Sequence, residues 1–399
     1  GVKRGICMKA VMISNFMNHH QYPFSTALLN QKDVEYTFVS LEPIPDERSS
    51  MGYADMNHSC PFVLCAYDSE EKMQQALKLM DEADTAIFGS CPDWMVMRRA
   101  NQGKLCFKFS ERYFKNGIGL RTLPRNFASA WKHLKPFEKK PLYFCCSSAY
   151  TAADLNRYTN FYGRTFKWGY FPEVRRYDPD VLMQKKHAAA GGDVSILWAG
   201  RLLDWKHPDA AVRLASVLKR KGYAFQLDLI GNGAMEQRLQ KMIAAERLEG
   251  CVRMLGAMPP EQVRAHMERA DIYLFTSDFQ EGWGAVLNES MNSGCAVVAS
   301  HAIGSVPYLI EDGVNGLIYE NGNQTQLERR VEWLLEHPAE RERLGRAAYR
   351  TMQDTWNADV AAERFVSLCE HLLAGEKSPD LYADGPCSRA EILDNGWYH

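Results

Sequence analysis

Short apolar runs recur along the chain, each followed by a polar loop and then an amphipathic stretch. KAVMIS (9–14), VEYTFVS (34–40), ADTAIFGS (83–90), KLCFKFSE (104–111), PLYFCCSS (141–148) and RTFKWGYF (164–171) have the length and aromatic or β-branched content of strands. Between them, SEEKMQQALKLMDEA (69–83) and FASAWKHL (127–134) carry apolar residues at helical spacing. The alternation breaks at YFPEVRRYDPDVLMQKKHAAAGGD (170–193), whose prolines and Gly-Gly pair predict a connection between domains. It restarts with VSILWAG (194–200), FQLDLIG (225–231), VRMLG (252–256), DIYLFTS (271–277), CAVVAS (295–300) and GLIY (316–319). PDAAVRLASVLKRKG (208–222) has Pro near its start and Gly222 past its end, the punctuation of a helix. AAERFVSLCEHLLAG (361–375) is a last helical stretch before a polar tail.

Strands alternating with helices imply parallel sheets covered on both faces, in two α/β units of similar size. A length of 399 residues agrees, being too great for one ordinary core. The hydrophobic share of 46 % against 24 % charged is that of a globular chain and excludes a disordered or fibrous one. A formal net charge of −2 removes any global attraction to nucleic acid. The 11 cysteines form no CxxC pair, so free thiols in a reducing cytosol are expected and no metal is. No apolar run nears the ~20 residues of a membrane span, and no secretory leader pattern opens the sequence. GVKRGIC, ahead of Met8, is expected to lie outside the fold.

In open parallel sheets ligands bind beyond the carboxyl ends of the strands. In the second half those ends are Gly200-Arg201, Gly231-Asn232-Gly233, Ser277 to Gly284 and Ser300 to Ser305. Arg201 and Lys206, beside a helix start at Pro208, suit a diphosphate: fixed donors, helix dipole and positive charge all favour the anion. Gly231-x-Gly233 suggests a dinucleotide fingerprint, but Glu236 replaces its third glycine, which disfavours NAD(P). In SDFQEGWGAVLNESMNSG (277–294), the turn Glu281-Gly282-Trp283-Gly284 precedes a helix over 285–293 capped by Gly294. Free N–H groups of that turn and of Ala285 and Val286 suit sugar or phosphate oxygens. Glu281 is placed to accept from sugar hydroxyls, and Glu289 from the two ribose hydroxyls.

With these motifs in order, the second half resembles the retaining, nucleotide-sugar-dependent glycosyltransferases of the GT-B type. The elements are Gly200, Arg201 and Lys206; LIGNG at 229–233; VRMLG at 252–256; the Glu-x7-Glu pair Glu281 and Glu289; and IEDGVNGLIY at 310–319. The first half, through SNFMNHHQYPFS (14–25), FSERYFKNG (109–117) and CSSAYTAADL (146–155), looks like bacterial capsule and exopolysaccharide glycosyltransferases. The resemblance implies two Rossmann-like, doubly wound domains facing across a cleft. Residues 1–172 would form the acceptor-side domain, 173–355 the nucleotide-sugar domain, and 356–399 a helix and tail packing back on the first. It gives Arg201, Lys206 and Glu281 the catalytic roles. Donor contacts fall to Gly200, Gly231, Gly233, Arg253, Ser277, Gly282, Trp283, Gly284, Ala285, Val286 and Glu289. UDP is the base the family suggests, with Arg253 and Gly256 near its seat.

The sequence departs from the family in two places. Ser305 and Tyr308 stand where Gly-Gly and Glu are common, and GSCPDW supplies Ser90, Cys91 and Asp93 where a histidine is usual. Acceptor-side candidates are Asn15, His19, His20, Ser90, Glu111 and Arg112, the last two serving either as a structural ion pair or as an acceptor clamp. No DxD ends a strand, so a metal-independent, front-face displacement is expected, with no cofactor besides the nucleotide-sugar. The acceptor is expected to be a saccharide or lipid-linked saccharide, and the location cytoplasmic. Residues 111–140 are basic and interleaved with Phe and Trp. Either they lie against the inner face of a membrane, or they form a solvated face with the aromatics turned inward, the commoner arrangement. The rival functions are a non-catalytic sugar-nucleotide or polysaccharide-binding protein and an NAD(P)-dependent oxidoreductase.

Overall fold

A computed structural model describes residues 7–45, 55–189 and 192–398. The residues ahead of Cys7, and Gly191 of the Gly-Gly pair, lie outside the described residues. The chain divides into two compact units, each of which visits its partner's sequence range.

The first unit runs to Glu173 and resumes over Ala358–Leu393. Seven parallel strands form its sheet: β1 (Met8–Ser14), β2 (Val34–Ser40), β3 (Val63–Cys65), β4 (Thr85–Phe88), β5 (Cys106–Ser110), β6 (Leu142–Cys146) and β7 (Thr165–Lys167). Their order is β3-β2-β1-β4-β5-β6-β7, so the winding reverses between β1 and β4. β1 pairs with β2 from Met8↔Val34 to Ser14↔Ser40 and with β4 from Ala10↔Thr85 to Ile13↔Phe88. A central parallel strand is covered on both faces, which is why MKAVMIS buries every residue but Lys9. β3 has no counterpart among the expected strands, because three residues of CPFVLC are too few to show a period. The helix Ala358–Leu373 belongs here, its Phe365 ring 4.8 Å from Phe107 and 6.0 Å from Phe24.

The second unit spans Val174–Asn357 and the last residues, from Asp394. Its six parallel strands are β8 (Val194–Ala199), β9 (Phe225–Ile230), β10 (Val252–Gly256), β11 (Ile272–Phe275), β12 (Ala296–Ser300) and β13 (Leu317–Tyr319), ordered β10-β9-β8-β11-β12-β13. Here the winding reverses between β8 and β11. Ile196, Trp198, Leu229, Leu274 and Val298 anchor its core. The supposed connecting stretch contains a helix, Pro179–Ala189, whose buried Lys186 donates to the carbonyls of Met267 (3.0 Å) and Ala270 (2.7 Å). Residues 394–398, grouped with the first domain at the sequence level, pack on the second unit. Tyr398 donates to Ile318 O (2.8 Å), and its ring lies 5.7 Å from that of His301.

Candidate functional site

Small and polar residues crowd the carboxyl ends of both sheets. In the second unit β8 delivers Gly200 and an exposed Arg201, and the chain then turns through Asp204–Lys206 into the helix Pro208–Arg220. His207 makes that turn with φ 49°, and Thr276 Oγ1 ties it to the end of β11 by donating to the carbonyls of Lys206 (2.7 Å) and His207 (3.0 Å). Lys206 Nζ thereby reaches Glu281 Oε2 at 2.5 Å, the two side chains only 14 % and 12 % exposed. Ser277 Oγ donates to the same oxygen at 2.9 Å. Among the described residues Arg201 makes no ion pair. A largely desolvated ammonium and carboxylate thus meet at the strand ends that also carry the exposed Arg201.

Beside them, His207 Nε2 lies 3.4 Å from Asp278 Oδ2. The hydrogen bond to that carboxylate raises the imidazole pKa. Burial pushes Asp278 up, but His207 and the Gln280 N–H more than offset it and leave the carboxyl below its ordinary value.

The two glycines after β9 seat the β8 loop. A Cβ at Gly231 would lie 1.8 Å from Gly200 O, and one at Gly233 2.6 Å from Leu202 O, with φ of 138° and 153°. The turn after β11 is equally fixed. Gly284 has φ 84°, and a Cβ there would meet Phe275 Cζ at 2.3 Å. The helix it starts, Val286–Asn292, has no side-chain cap, and among the described residues nothing accepts from the N–H groups of Gly284, Ala285 or Val286. Glu289 stands on its first turn, and burial raises its carboxyl pKa against the opposing pull of Arg264 and Arg175.

Two side chains of the expected donor set are engaged elsewhere. Trp283 is 1 % exposed; its Nε1 donates to Asn288 Oδ1 (2.9 Å) and its ring packs near Tyr308 and Trp356, so it is a core residue beneath the turn. Arg253 makes a bidentate pair with Asp228 (2.8 and 2.9 Å), close to His266 of the helix Pro260–Arg269 and away from the strand ends.

The first unit has a cavity of about 440 Å³ at its own strand ends, over the β1/β4 reversal. Ser14, Asn15, Asn18, His20 and Gln21 line it after β1, Gly89 and Ser90 after β4, Ser110 and Glu111 after β5, Ser147 after β6 and Tyr170 after β7. Its floor is Phe24, Phe109, Trp168 and Phe171, with Trp168 4.9 Å from both Phe24 and Phe171. Ser14 Oγ organises the reversal, accepting from Ser90 N (3.2 Å) and Gln21 Nε2 (3.4 Å), and Gly89 is required because a Cβ would stand 2.6 Å from that hydroxyl. Tyr170 OH donates to Glu111 Oε1 at 2.5 Å, and Lys115 holds the other oxygen.

Of the six acceptor-side candidates, Asn15, His20, Ser90 and Glu111 line this cavity, and His19 sits against His20, ring centres 3.9 Å apart. Arg112 does not. It is 4 % exposed and bound to Asp154 at 3.0 and 3.2 Å, which resolves the Glu111–Arg112 alternative: each has its own partner, and Arg112 is structural. Neither Cys91 nor Asp93 lines the cavity. Burial pushes the Cys91 thiol up to about 12, and Asp93 is held by His133 (2.7 Å) and Lys108 (3.3 Å). Tyr170 was missed because its segment read as a linker; its position after a strand was the available signal.

Among the described residues one His/Cys/Asp group has metal-ligand proximity: His58, Cys65 and Asp68, with ligand atoms within 4.8 Å of one another. Lys72 holds Asp68 at 2.6 Å, and none of the three lines the cavity of the first unit.

Residues 182–351 match the family model described as Glycosyl transferases group 1. The amylovoran biosynthesis glycosyltransferase AmsK of Erwinia amylovora is 29 % identical over 200 residues, 49 % of each chain. A putative colanic acid biosynthesis glycosyltransferase, WcaL of Salmonella typhimurium, is 30 % identical over 220 residues, 52 % of this chain and 54 % of its own. The chain spans about half the length of the curated relatives it matches. Anabaena Alr3699/HepE in complex with UDP superposes with a TM-score of 0.65 at 13 % identity, covering 91 % of this chain and 99 % of that one. Sucrose-phosphate synthase of Thermosynechococcus elongatus gives 0.63 at 16 %, covering 92 % and 99 %. Residues 182–351 are thus similar to the group 1 glycosyltransferases, and the two parallel-sheet units have the GT-B fold.

Proposed function

We propose that this chain, whose residues 182–351 match the group 1 glycosyltransferases, is a retaining glycosyltransferase. It moves a sugar from a UDP-sugar to a saccharide or lipid-linked saccharide during bacterial surface polysaccharide assembly, at the cytoplasmic side of the membrane. The observation that carries this reading is the meeting of Lys206 with Glu281, 75 residues apart in sequence, on the loop that leaves β8 through the exposed Arg201. Fixed cations at a strand end, with the dipole of the Pro208–Arg220 helix, suit a departing diphosphate. Glu281 accepts from hydroxyls of the transferred sugar and Glu289 from the ribose. The names of the relatives, for amylovoran and colanic acid synthesis, and the UDP in the Anabaena complex support the choice of pathway class and base.

In this mechanism the acceptor hydroxyl attacks the anomeric carbon on the face the diphosphate leaves, and the leaving phosphate oxygen takes its proton. Arg201 and Lys206 neutralise the charge that develops there, so no divalent metal is required. The cavity of the first unit, polar at its rim and aromatic at its floor, suits a saccharide acceptor. Incubation with a panel of nucleotide-sugars, reading nucleotide release and the anomeric configuration of the product, tests the proposal. Release from a UDP-sugar with retained configuration and no loss in EDTA is expected. Inverted product, strict metal dependence or release from no nucleotide-sugar contradicts it.

A further inference from the structure

The helix Leu123–His133 turns its aromatic residues outward, contrary to the commoner arrangement for such a segment. Leu123, Phe127 and Trp131 recur every four residues and are 46 %, 49 % and 61 % exposed, and Leu120 just ahead is 90 % exposed. At 100° per residue they form one stripe, while Asn126 and Ala130 face the interior. The Phe127 and Trp131 rings lie 6.0 Å apart, so the patch is continuous. A soluble face does not ordinarily place three large apolar groups side by side in water.

The charge around the stripe has one sign. Residues 112–140 hold eight Lys and Arg but a single carboxylate, Glu138, which Lys135 takes at 2.6 Å. Among the described residues, Arg121, Arg125, Lys132, Lys139 and Lys140 pair with no carboxylate. An aromatic stripe bordered by uncommitted cations complements an anionic lipid surface. The rings enter the headgroup boundary while the cations stay at the phosphates.

We infer that this helix docks the protein on an anionic bilayer, lying in the interface without spanning it. The inference stands apart from the donor chemistry proposed above. Its test reads binding of the full chain, without nucleotide or turnover, to vesicles of phosphatidylcholine made with and without a third of phosphatidylglycerol. Binding to the anionic vesicles alone, reversed by salt, is expected. Phe127→Ser with Trp131→Ser should weaken it at least about tenfold, and so should Arg121→Glu with Arg125→Glu and Lys132→Glu. All five positions are exposed, so thermal midpoints should hold. Absence of binding at low salt overturns the inference. So does equal binding to neutral vesicles, unchanged binding by both variants, or self-association of the chain that the aromatic variant abolishes.

Discussion

Lys206 Nζ and Glu281 Oε2 meet at 2.5 Å on the rim of the second sheet, with Ser277 Oγ donating to the same oxygen. Each side chain has a ligand role in the proposed reaction, yet without ligand they satisfy one another. Both groups are largely desolvated, so the pair keeps each charge compensated until diphosphate and sugar replace it.

Removing the positive charge exposes the catalytic part of that relationship. Lys206→Met and Arg201→Ala should each lower kcat by about a hundred- to a thousandfold, about 3–4 kcal/mol of barrier. Only Lys206→Met should also destabilise the fold, because it strands Glu281. Nucleotide release rates and thermal melts on the same preparations check both.

Glu289 should trade stability for binding. A carboxyl whose pKa is raised on folding holds its proton more tightly in the folded state. It therefore costs stability above the ordinary carboxylate range and nothing well below it. Glu289→Gln should accordingly raise the melting midpoint at neutral pH by about 2 °C. The gain should shrink as pH falls through the raised value and vanish near pH ~3. The same variant should weaken UDP binding by about tenfold, the loss of a charge-assisted hydrogen bond. Differential scanning calorimetry against pH and titration calorimetry at neutral pH read the two effects.

The β9 glycines make a sharper structural prediction. Gly231→Ala must move Gly200, whose carbonyl would be 1.8 Å from the new Cβ. A loss of about 2–4 kcal/mol in urea unfolding is expected, with nucleotide affinity falling as the Arg201 loop shifts. Gly222→Ala has a positive φ of 80° but open space around it, and should cost only about 1 kcal/mol with affinity intact.

Two arginines should behave as structural residues. The Arg112 and Asp154 side chains are each 2 % exposed, so Asp154→Ala leaves a buried cation and should cost about 3–5 kcal/mol. Arg253→Ala strands Asp228 behind an exposed guanidinium and should cost about 1 kcal/mol. Equilibrium unfolding measures both losses, and an unchanged UDP Kd for the Arg253 variant separates its role from donor binding.

Twelve strands were visible in the sequence because parallel strands buried on both faces write themselves as continuous apolar runs. β3 was not, since three residues carry no period. Lys206 and Glu281 could be nominated separately from their strand ends, but their contact depends on the β8–β11 adjacency that no local pattern contains. The indole of Trp283 could not be placed from sequence either: its turn was nominated for backbone N–H groups, and the fold tucks the ring inward near Tyr308 and Trp356. Arg253 misled in the opposite way, because register decides which face of β10 it takes. The outward set of Phe127 and Trp131 was open at the sequence level, since helical spacing shows that residues share a side without showing which side is covered.

Neither unit is assembled from one uninterrupted length of chain: the polypeptide enters the second unit at Val174, leaves it at Ala358 and re-enters at Asp394. Grafting a relative's donor specificity onto this scaffold thus needs two splices rather than one. A chimera carrying foreign residues 174–357 with the native terminus would present Tyr398 to an unfamiliar partner in place of His301, Ile318 and Arg330. Transplanting the last residues together with the donor half keeps that latch matched.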